Sequence, residues 1–350
     1  VVERVLITDG DAVASEILIG RFSGAPDAAT LLPERPARRR VAILTHDGAT
    51  RSAAALETRV RDAGFRVAVR QLPDREDAKT LATAEATYLW LNDRGMTRDD
   101  TIVAVGGGAL TDAAGFVAAT YLRGIEAILV PSTLLGAVDA AIGGKTAVNV
   151  GGKNLVGAFR HPSRVVIDLD VLDALPRPLR IEGTAEAVKA GLIADPDLVG
   201  VYEDRGLAAP LDTVVPRAVR VKAGVVSDDF RESGRRAILN YGHTVGHAIE
   251  TVAAIPHGHA VSIGMVAAAE VSARLLGFTE TPRQRALLER LELPTTSPPV
   301  DRRRIRELMA LDKKRDASGL RMVLLERIGA ATVVTVDAAT VEAALDAVAV

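Results

Sequence analysis

The chain has 350 residues, 48% of them hydrophobic, enough for a large core and, by length, about two domains. It contains no cysteine, which removes disulfides, thiolate metal sites and cysteine nucleophiles, and its 43 basic against 45 acidic residues leave a formal net charge of −2, which speaks against a broad nucleic-acid surface. No apolar run reaches the roughly 18 residues a spanning helix needs, and Glu3, Asp9 and Asp11 do not fit a signal peptide, so the cytoplasm is the expected compartment, with no membrane partner.

In chain order, residues 4–8 and 17–19 read as short strands, followed by a proline- and glycine-rich connection over 24–36. From residue 40 the pattern sharpens. Val41, Ala42, Ile43 and Leu44 form a short apolar run closed by His46-Asp47-Gly48; helical spacing follows over 52–63, then a strand over 65–72. The rhythm repeats with a helix over 79–93 and a buried strand over 101–105 that runs into Gly106-Gly107-Gly108. Alternation of this kind predicts a parallel sheet covered by helices on both faces, with ligands at the carboxyl ends of the strands.

The triple glycine therefore stands where a phosphate or dinucleotide would bind, although Thr111 occupies the third-glycine position of the dinucleotide fingerprint. Gly144-Lys145-Thr146 has the end of a P-loop, but Asp139 stands where that motif needs its first glycine. A helix over 111–121, a strand over 127–130 and the run Pro131 to Leu135 lie between. The stretch from Asp139 to Asn154 holds too many turn residues for a regular helix. Its Lys145, Asn149, Lys153 and Asn154 suit a multiply charged anion on a glycine-permissive loop. A strand over 165–169 closes this half, and Pro176 and Pro178 mark a boundary, giving expected domains of 1–174 and 175–350.

Beyond the boundary the period is helical. Glu186 and Lys189 share a face over 184–193; a helix over 213–226 carries Lys222; Arg236 and Asn240 precede His243 at helical spacing. Helical patterns continue to 276, over 281–290 and 302–311, followed by Asp312-Lys313-Lys314, a short hairpin over 321–336 and a last helix. Four of the six histidines, His243, His247, His257 and His259, fall within 17 positions. Two imidazoles and one carboxylate make an open, catalytic type of zinc site. Spacing favours His243 and His247 as joint ligands and leaves the carboxylate open among Glu186, Asp139 and Glu250.

Taken together, Gly106-Gly107-Gly108 with Asp112, Tyr121-Leu122-Arg123-Gly124, Pro131-Ser132-Thr133, Asp139 through Gly143-Gly144-Lys145-Thr146 to Gly152-Lys153-Asn154, Ala185-Glu186 with Lys189, and Asn240-Tyr241-Gly242-His243 resemble the 3-dehydroquinate synthases. The likeness runs from about Pro73 to Gly329. It implies an N-terminal NAD-binding α/β domain and a mostly helical C-terminal domain that binds substrate and a divalent metal, zinc first and cobalt second, in a homodimer. It also implies a different ligand set: Glu186, His243 and His257, with His247 facing substrate. By the same resemblance Lys145, Lys189, Arg236, Asn240 and His247 serve catalysis. Arg123, Asp139, Lys153, Asn154, Lys222 and one of Lys313 and Lys314 contact substrate, and Glu76, Lys79, Gly107, Gly108, Asp112, Ser132 and Thr133 contact NAD.

The implied reaction converts 3-deoxy-D-arabino-heptulosonate 7-phosphate to 3-dehydroquinate and phosphate. It runs by transient oxidation with NAD, phosphate elimination, re-reduction and intramolecular aldol closure, in the shikimate pathway. Three positions depart from the family's usual pattern: His257-Gly258-His259 replaces His-Gly-Glu, the loop between Lys145 and Lys153 is one residue shorter than in some members, and Thr45-His46-Asp47-Gly48 lacks the customary asparagine. An amino-dehydroquinate synthase of an antibiotic pathway, or another sugar phosphate cyclase, is the alternative these departures leave open. A metal-dependent NAD alcohol dehydrogenase is a more distant one.

Overall fold

A computed structural model describes residues 2–34, 37–313 and 320–349, with residues 311–313 described by backbone alone. Lys314 and the side chain of Lys313, both expected near substrate, lie outside the described residues. The chain divides into two compact units, one of residues 1–176 with 222–231, the other of 177–221 with 232–350.

The first unit contains β1 (Glu3–Asp9), β2 (Ala12–Gly20), α1 (Ala28–Leu31), β3 (Arg40–Thr45), α2 (Thr50–Asp62), β4 (Arg66–Gln71), α3 (Leu81–Asp93), β5 (Thr101–Gly106), α4 (Gly108–Thr120), β6 (Glu126–Pro131), β7 (Lys145–Val148), β8 (Val156–Phe159), β9 (Arg164–Asp168) and α5 (Leu169–Asp173). Among the described residues seven strands form one sheet in the order β1-β2-β9-β6-β5-β3-β4, parallel except for the β1–β2 hairpin. The inner strands are buried along nearly their whole length. This is why they read as unbroken apolar runs: Val41, Ile43, Val103, Val105, Ile128, Val130 and Val166 pack with Leu56 and Val60 of α2. Thr80 fixes the start of α3 by accepting from Thr83 N at 3.0 Å.

β3 pairs with β4 on one side and β5 on the other. The strand order therefore reverses between β3 and β5, and a crevice at such a switch point is where open α/β sheets bind ligands. Residues 46–48 after β3 and 106–108 after β5 flank it. The stretch 139–154, read as too rich in turn residues for a regular helix, contains the first strand of a small hairpin that ends at Phe159, with Lys145 opposite Phe159 and Val148 opposite Val156. The strands are only four residues long and are bracketed by Gly143, Gly144, Gly151 and Gly152, so no alternating pattern is visible in the sequence.

The second unit contains α6 (Arg177–Ala194), α7 (Pro196–Arg205), α8 (Leu211–Asp228, whose last turns belong to the first unit), α9 (His243–Ala253), α10 (His257–Leu276), α11 (Thr281–Arg290), α12 (Arg302–Lys313), the antiparallel pair β10 (Arg321–Arg327) and β11 (Ala330–Thr335), and α13 (Ala338–Asp346). Among the described helices α10 alone is long and apolar enough to cross a membrane. However, 67% of its apolar window is buried inside the protein, as in a core helix.

The helical spacing read from Arg236 through His243 is interrupted. A 3-10 turn covers Arg235–Asn240, Tyr241 is extended, and Gly242 is left-handed at φ +81° before α9 starts at His243. A side chain at 242 would stand 2.8 Å from Val261 O and 2.9 Å from Met265 N, so glycine is required both for the turn and for the approach of α10. Tyr241 is anchored beneath it, its hydroxyl donating to Gln284 Oε1 at 2.9 Å, and burial pushes that phenol above its ordinary pKa.

Candidate functional site

In the first unit the chain leaves β5 through Gly106 and Gly107, and Gly107 caps α4 with no side-chain hydrogen bond. The first N–H groups of α4 are thus open to an anion. Ser132 N donates to Gly106 O at 2.9 Å, Thr133 Oγ1 accepts from Gly136 N at 3.1 Å, and a side chain at 107 would touch Thr133 Cγ2 at 3.4 Å. Gly107, Gly108, Ser132 and Thr133 therefore form one cradle at the carboxyl ends of β5 and β6. His46 closes it beside Gly106, with its Nδ1 3.0 Å from Asp74 Oδ1.

Lys79 is buried, and its ammonium donates to Asp112 Oδ2 at 2.6 Å and to Asn154 Oδ1. Burial raises the Asp112 pKa, opposed by the charge of Lys79. Asn149 ties the loop down further: its side chain donates to Glu76 Oε2 at 2.6 Å and accepts from Asn154 N at 2.9 Å. Glu76, Lys79, Asp112 and Asn154 thus meet in one network. Lys222 donates to Asp139 O at 2.6 Å and pairs with the Asp139 carboxylate, both within the first unit. Lys145 opens β7 and Lys153 follows on the exposed loop. Arg123 is exposed at the end of α4 away from Gly107, about 20 Å along that 13-residue helix, so this unit does not bring it to the cradle.

In the second unit, three helices converge through glycines. A side chain at Gly264 of α10 would stand 1.8 Å from Gly242 O, and one at Gly258 would stand 2.1 Å from Glu182 O of α6. Backbone contacts this close place α6, α9 and α10 so that Glu186, His243 and His257 meet. Their ligand atoms lie within 4.8 Å of one another. His257 Nε2 is 3.3 Å and His243 Nε2 3.6 Å from Glu186 Oε1, yet neither buried oxygen of Glu186 accepts an aligned hydrogen bond. Lys189 stands in ion-pair contact with the other oxygen.

The outer nitrogens explain the inner ones. His243 Nδ1 is 3.2 Å from Tyr241 O, and His257 Nδ1 is 3.0 Å from Glu250 Oε2. A proton held on each Nδ1 leaves both Nε2 lone pairs facing the carboxylate, the arrangement of metal-ligating histidines with outer acceptors. With both rings neutral, two lone pairs and a carboxylate are aimed at one point, so this donor set fits a divalent cation. Glu250, one of the carboxylates left open by spacing, is positioned here to orient His257. His247 is exposed, its ring 4.8 Å from that of His243, on the open side of the cluster. It forms a second potential ligand group with Glu250 and His257.

Without an ion the two histidines differ. Burial, reinforced by Lys189, holds His243 well below its ordinary pKa and keeps it neutral. Burial also acts to lower His257, but the carboxylates of Glu186 and Glu250 on either side of its ring outweigh it and raise the pKa to about 10. The second carboxylate accounts for the difference. Glu186 is lowered well below the ordinary range: burial opposes this, and Lys189, His257 and His243 prevail.

Arg236 is 1% exposed in the 3-10 turn before α9, and Asn240 donates to Glu232 Oε1 at 2.9 Å. His259, on α10, is half-buried and not part of either ligand group. Two features were not singled out in the sequence: the His46–Asp74 contact beside the glycine turn, and the Tyr241 carbonyl that sets the His243 tautomer. The first comes from distant loops; the second is a backbone atom with no sequence signature.

Residues 69–181 match the family model for the 3-dehydroquinate synthase N-terminal domain and residues 183–315 that for the C-terminal domain. The chain belongs to the 3-dehydroquinate synthase family. A 3-dehydroquinate synthase of Thermobifida fusca (strain YX) is 48% identical over 303 residues, 83% of this chain and 82% of that protein. Among solved structures, 2-deoxy-scyllo-inosose synthase complexed with carbaglucose-6-phosphate, NAD+ and Co2+ superposes at a TM-score of 0.87 and 28% identity, covering 98% of this chain and 100% of that one. The 2-epi-5-epi-valiolone synthase of Streptomyces hygroscopicus subsp. jinggangensis 5008, with NAD+ and Zn2+ bound, also superposes at 0.87, with 27% identity and coverage of 97% and 98%. The 3-dehydroquinate synthase fold thus accounts for both units.

Proposed function

We propose that the chain converts 3-deoxy-D-arabino-heptulosonate 7-phosphate to 3-dehydroquinate and phosphate, as a carbon–oxygen lyase that ends with its NAD unchanged. The observation that carries this reading is the meeting of Glu186, His243 and His257 around one point, their ligand atoms within 4.8 Å of one another. Those residues would hold a divalent ion, zinc first and cobalt second. The ion would supply Lewis acidity toward a substrate oxygen, and NAD a reversible hydride acceptor.

The remaining steps fall to the protein's own groups. Gly107, Gly108 and the start of α4, with Ser132 and Thr133, receive the dinucleotide pyrophosphate, and Glu76, Lys79 and Asp112 hold the adjoining part of NAD. Lys145, Lys153 and Asn154 take the substrate phosphate, which carries about −1.5 to −2 charges. Arg236 clamps the carboxylate through its planar fork. Lys189, Asn240, Asp139, Lys222 and a lysine of the 313–314 pair orient hydroxyls. His247, the exposed member of the cluster, moves protons near neutral pH. A cytoplasmic homodimer belongs to the same proposal, and light scattering checks the assembly.

The test is to supply purified protein with NAD, zinc and the heptulosonate phosphate and to follow phosphate and NADH together. Phosphate release without NADH accumulation is the expected result. Lasting NADH without phosphate would make the chain a dehydrogenase. Faster turnover of the amino-substituted substrate would move it to the amino-dehydroquinate synthases.

A further inference from the structure

A second groove lies in the first unit, away from the glycine cradle. It has a volume of about 460 Å3 and opens between the first residues of β3 and β4 and the end of α3, lined by Arg40, Arg66, Val67, Trp90, Arg94 and Met96 among others. Arg40 and Arg66 begin their strands, whereas Gly106 ends a strand parallel to them. A sheet six residues deep, about 20 Å, therefore separates this groove from the cofactor cradle. β4 is the edge strand, so the groove is not covered by a further strand of the sheet.

Its charge is unbalanced. The guanidiniums of Arg70 and Arg94 stand 5.8 and 5.9 Å from the centroid of the Trp90 ring, close enough for cation–π attraction. Arg70 Nε is buried and makes no hydrogen bond. Among the described residues neither Arg66 nor Arg94 has a carboxylate partner, and Arg40 has one, Asp100, at 3.7 Å. The Asp100 oxygens already accept from Arg39 N, Arg40 N and Thr97.

A chain with net charge −2 has acids to spare, yet three guanidiniums on this rim, and a fourth behind the indole, share one carboxylate. Forked donors converging on one space match a tetrahedral dianion, and Ala68 and Met96 offer an apolar floor. The volume falls in the roughly 300–1,000 Å3 range of small-molecule sites.

We propose that this groove binds a phosphate monoester of about nucleoside-monophosphate size, its phosphate among Arg40, Arg66 and Arg94 and its body against Ala68, Met96 and the edge of Trp90. The proposal does not depend on the reaction assigned above. Trp90 is the single tryptophan of the chain, so its emission reports this groove directly.

The experiment uses protein saturated with NAD and zinc, excited at the red edge of the indole band and titrated separately with AMP, ribose 5-phosphate and inorganic phosphate. A saturable change with AMP or with both esters is expected, weakened roughly tenfold in Arg66→Gln and in Arg94→Gln, with the basal phosphate-release rate unchanged. A response to AMP alone assigns the ligand to nucleotides; a response to both esters assigns it to phosphate esters in general. The proposal is overturned by no saturable change, by a change that the arginine variants retain, by equal affinity for inorganic phosphate, or by a response that fades as NAD is raised.

Discussion

In the first unit the charged groups beside the glycine turn are paired with one another or held by amide side chains. Lys79 is shared by Asp112 and Asn154, Asn149 holds Glu76, and Lys222 holds Asp139. In the second unit Glu186 Oε1 faces two imidazole nitrogens without an aligned hydrogen bond, while Lys189 stands against the other oxygen. The contrast separates two ways of preparing a site. One network is complete in itself and must be opened or extended by a ligand; the other is incomplete and is made whole by a cation. Buried polar groups without partners are costly, so the second arrangement is the more informative about function.

The sharpest way to break this contrast is His243→Ala, which is expected to lose bound metal and activity together while the fold survives. Full metal content by elemental analysis would remove His243 from the ligand set. Next in size is Gly264→Ala, whose added carbon would collide with Gly242 O and force α9 from α10. A loss of at least about 3 kcal/mol in urea unfolding is expected, and near-wild-type stability would mean that the helix crossing does not position the cluster. In the self-paired network, Asp112→Ala leaves the Lys79 ammonium with Asn154 alone, at about 2 kcal/mol of stability. Asp112→Asn should recover part of that.

A pH dependence sharpens the same contrast. His257, raised to about 10 in the metal-free protein, stabilises that form fully below its ordinary value of 6.5 and loses the contribution as pH rises through about 10. A metal ion must displace that proton, so zinc affinity should rise with pH below about 10, about tenfold per pH unit. A pH-independent affinity in competition titrations would mean that His257 is not a ligand.

Much of the first unit was legible in the sequence, because buried parallel strands read as apolar runs and β5 delivers its glycines without interruption. The β7–β8 hairpin was not, since short strands among glycines carry no period. In the second unit helices were legible but their breaks were not. Helical spacing makes His243 and His247 natural joint ligands. The left-handed Ala254 and the turn to Pro256 fold His257 back toward α9, which no spacing rule anticipates. Glu186 comes from α6, far earlier in the chain; spacing left it open beside Asp139 and Glu250, and only family resemblance chose it.

The crossing of α6, α9 and α10 at backbone distance has a thermodynamic corollary. An ion held there acts as a rivet through three helices, and an unfolded chain has no matching grip on it. At a free ion concentration roughly 1,000 times the dissociation constant, such linkage adds about 4.1 kcal/mol. The durability of the helical unit therefore tracks the trace-metal supply of its surroundings, and starvation for that ion would be felt first as a softer protein.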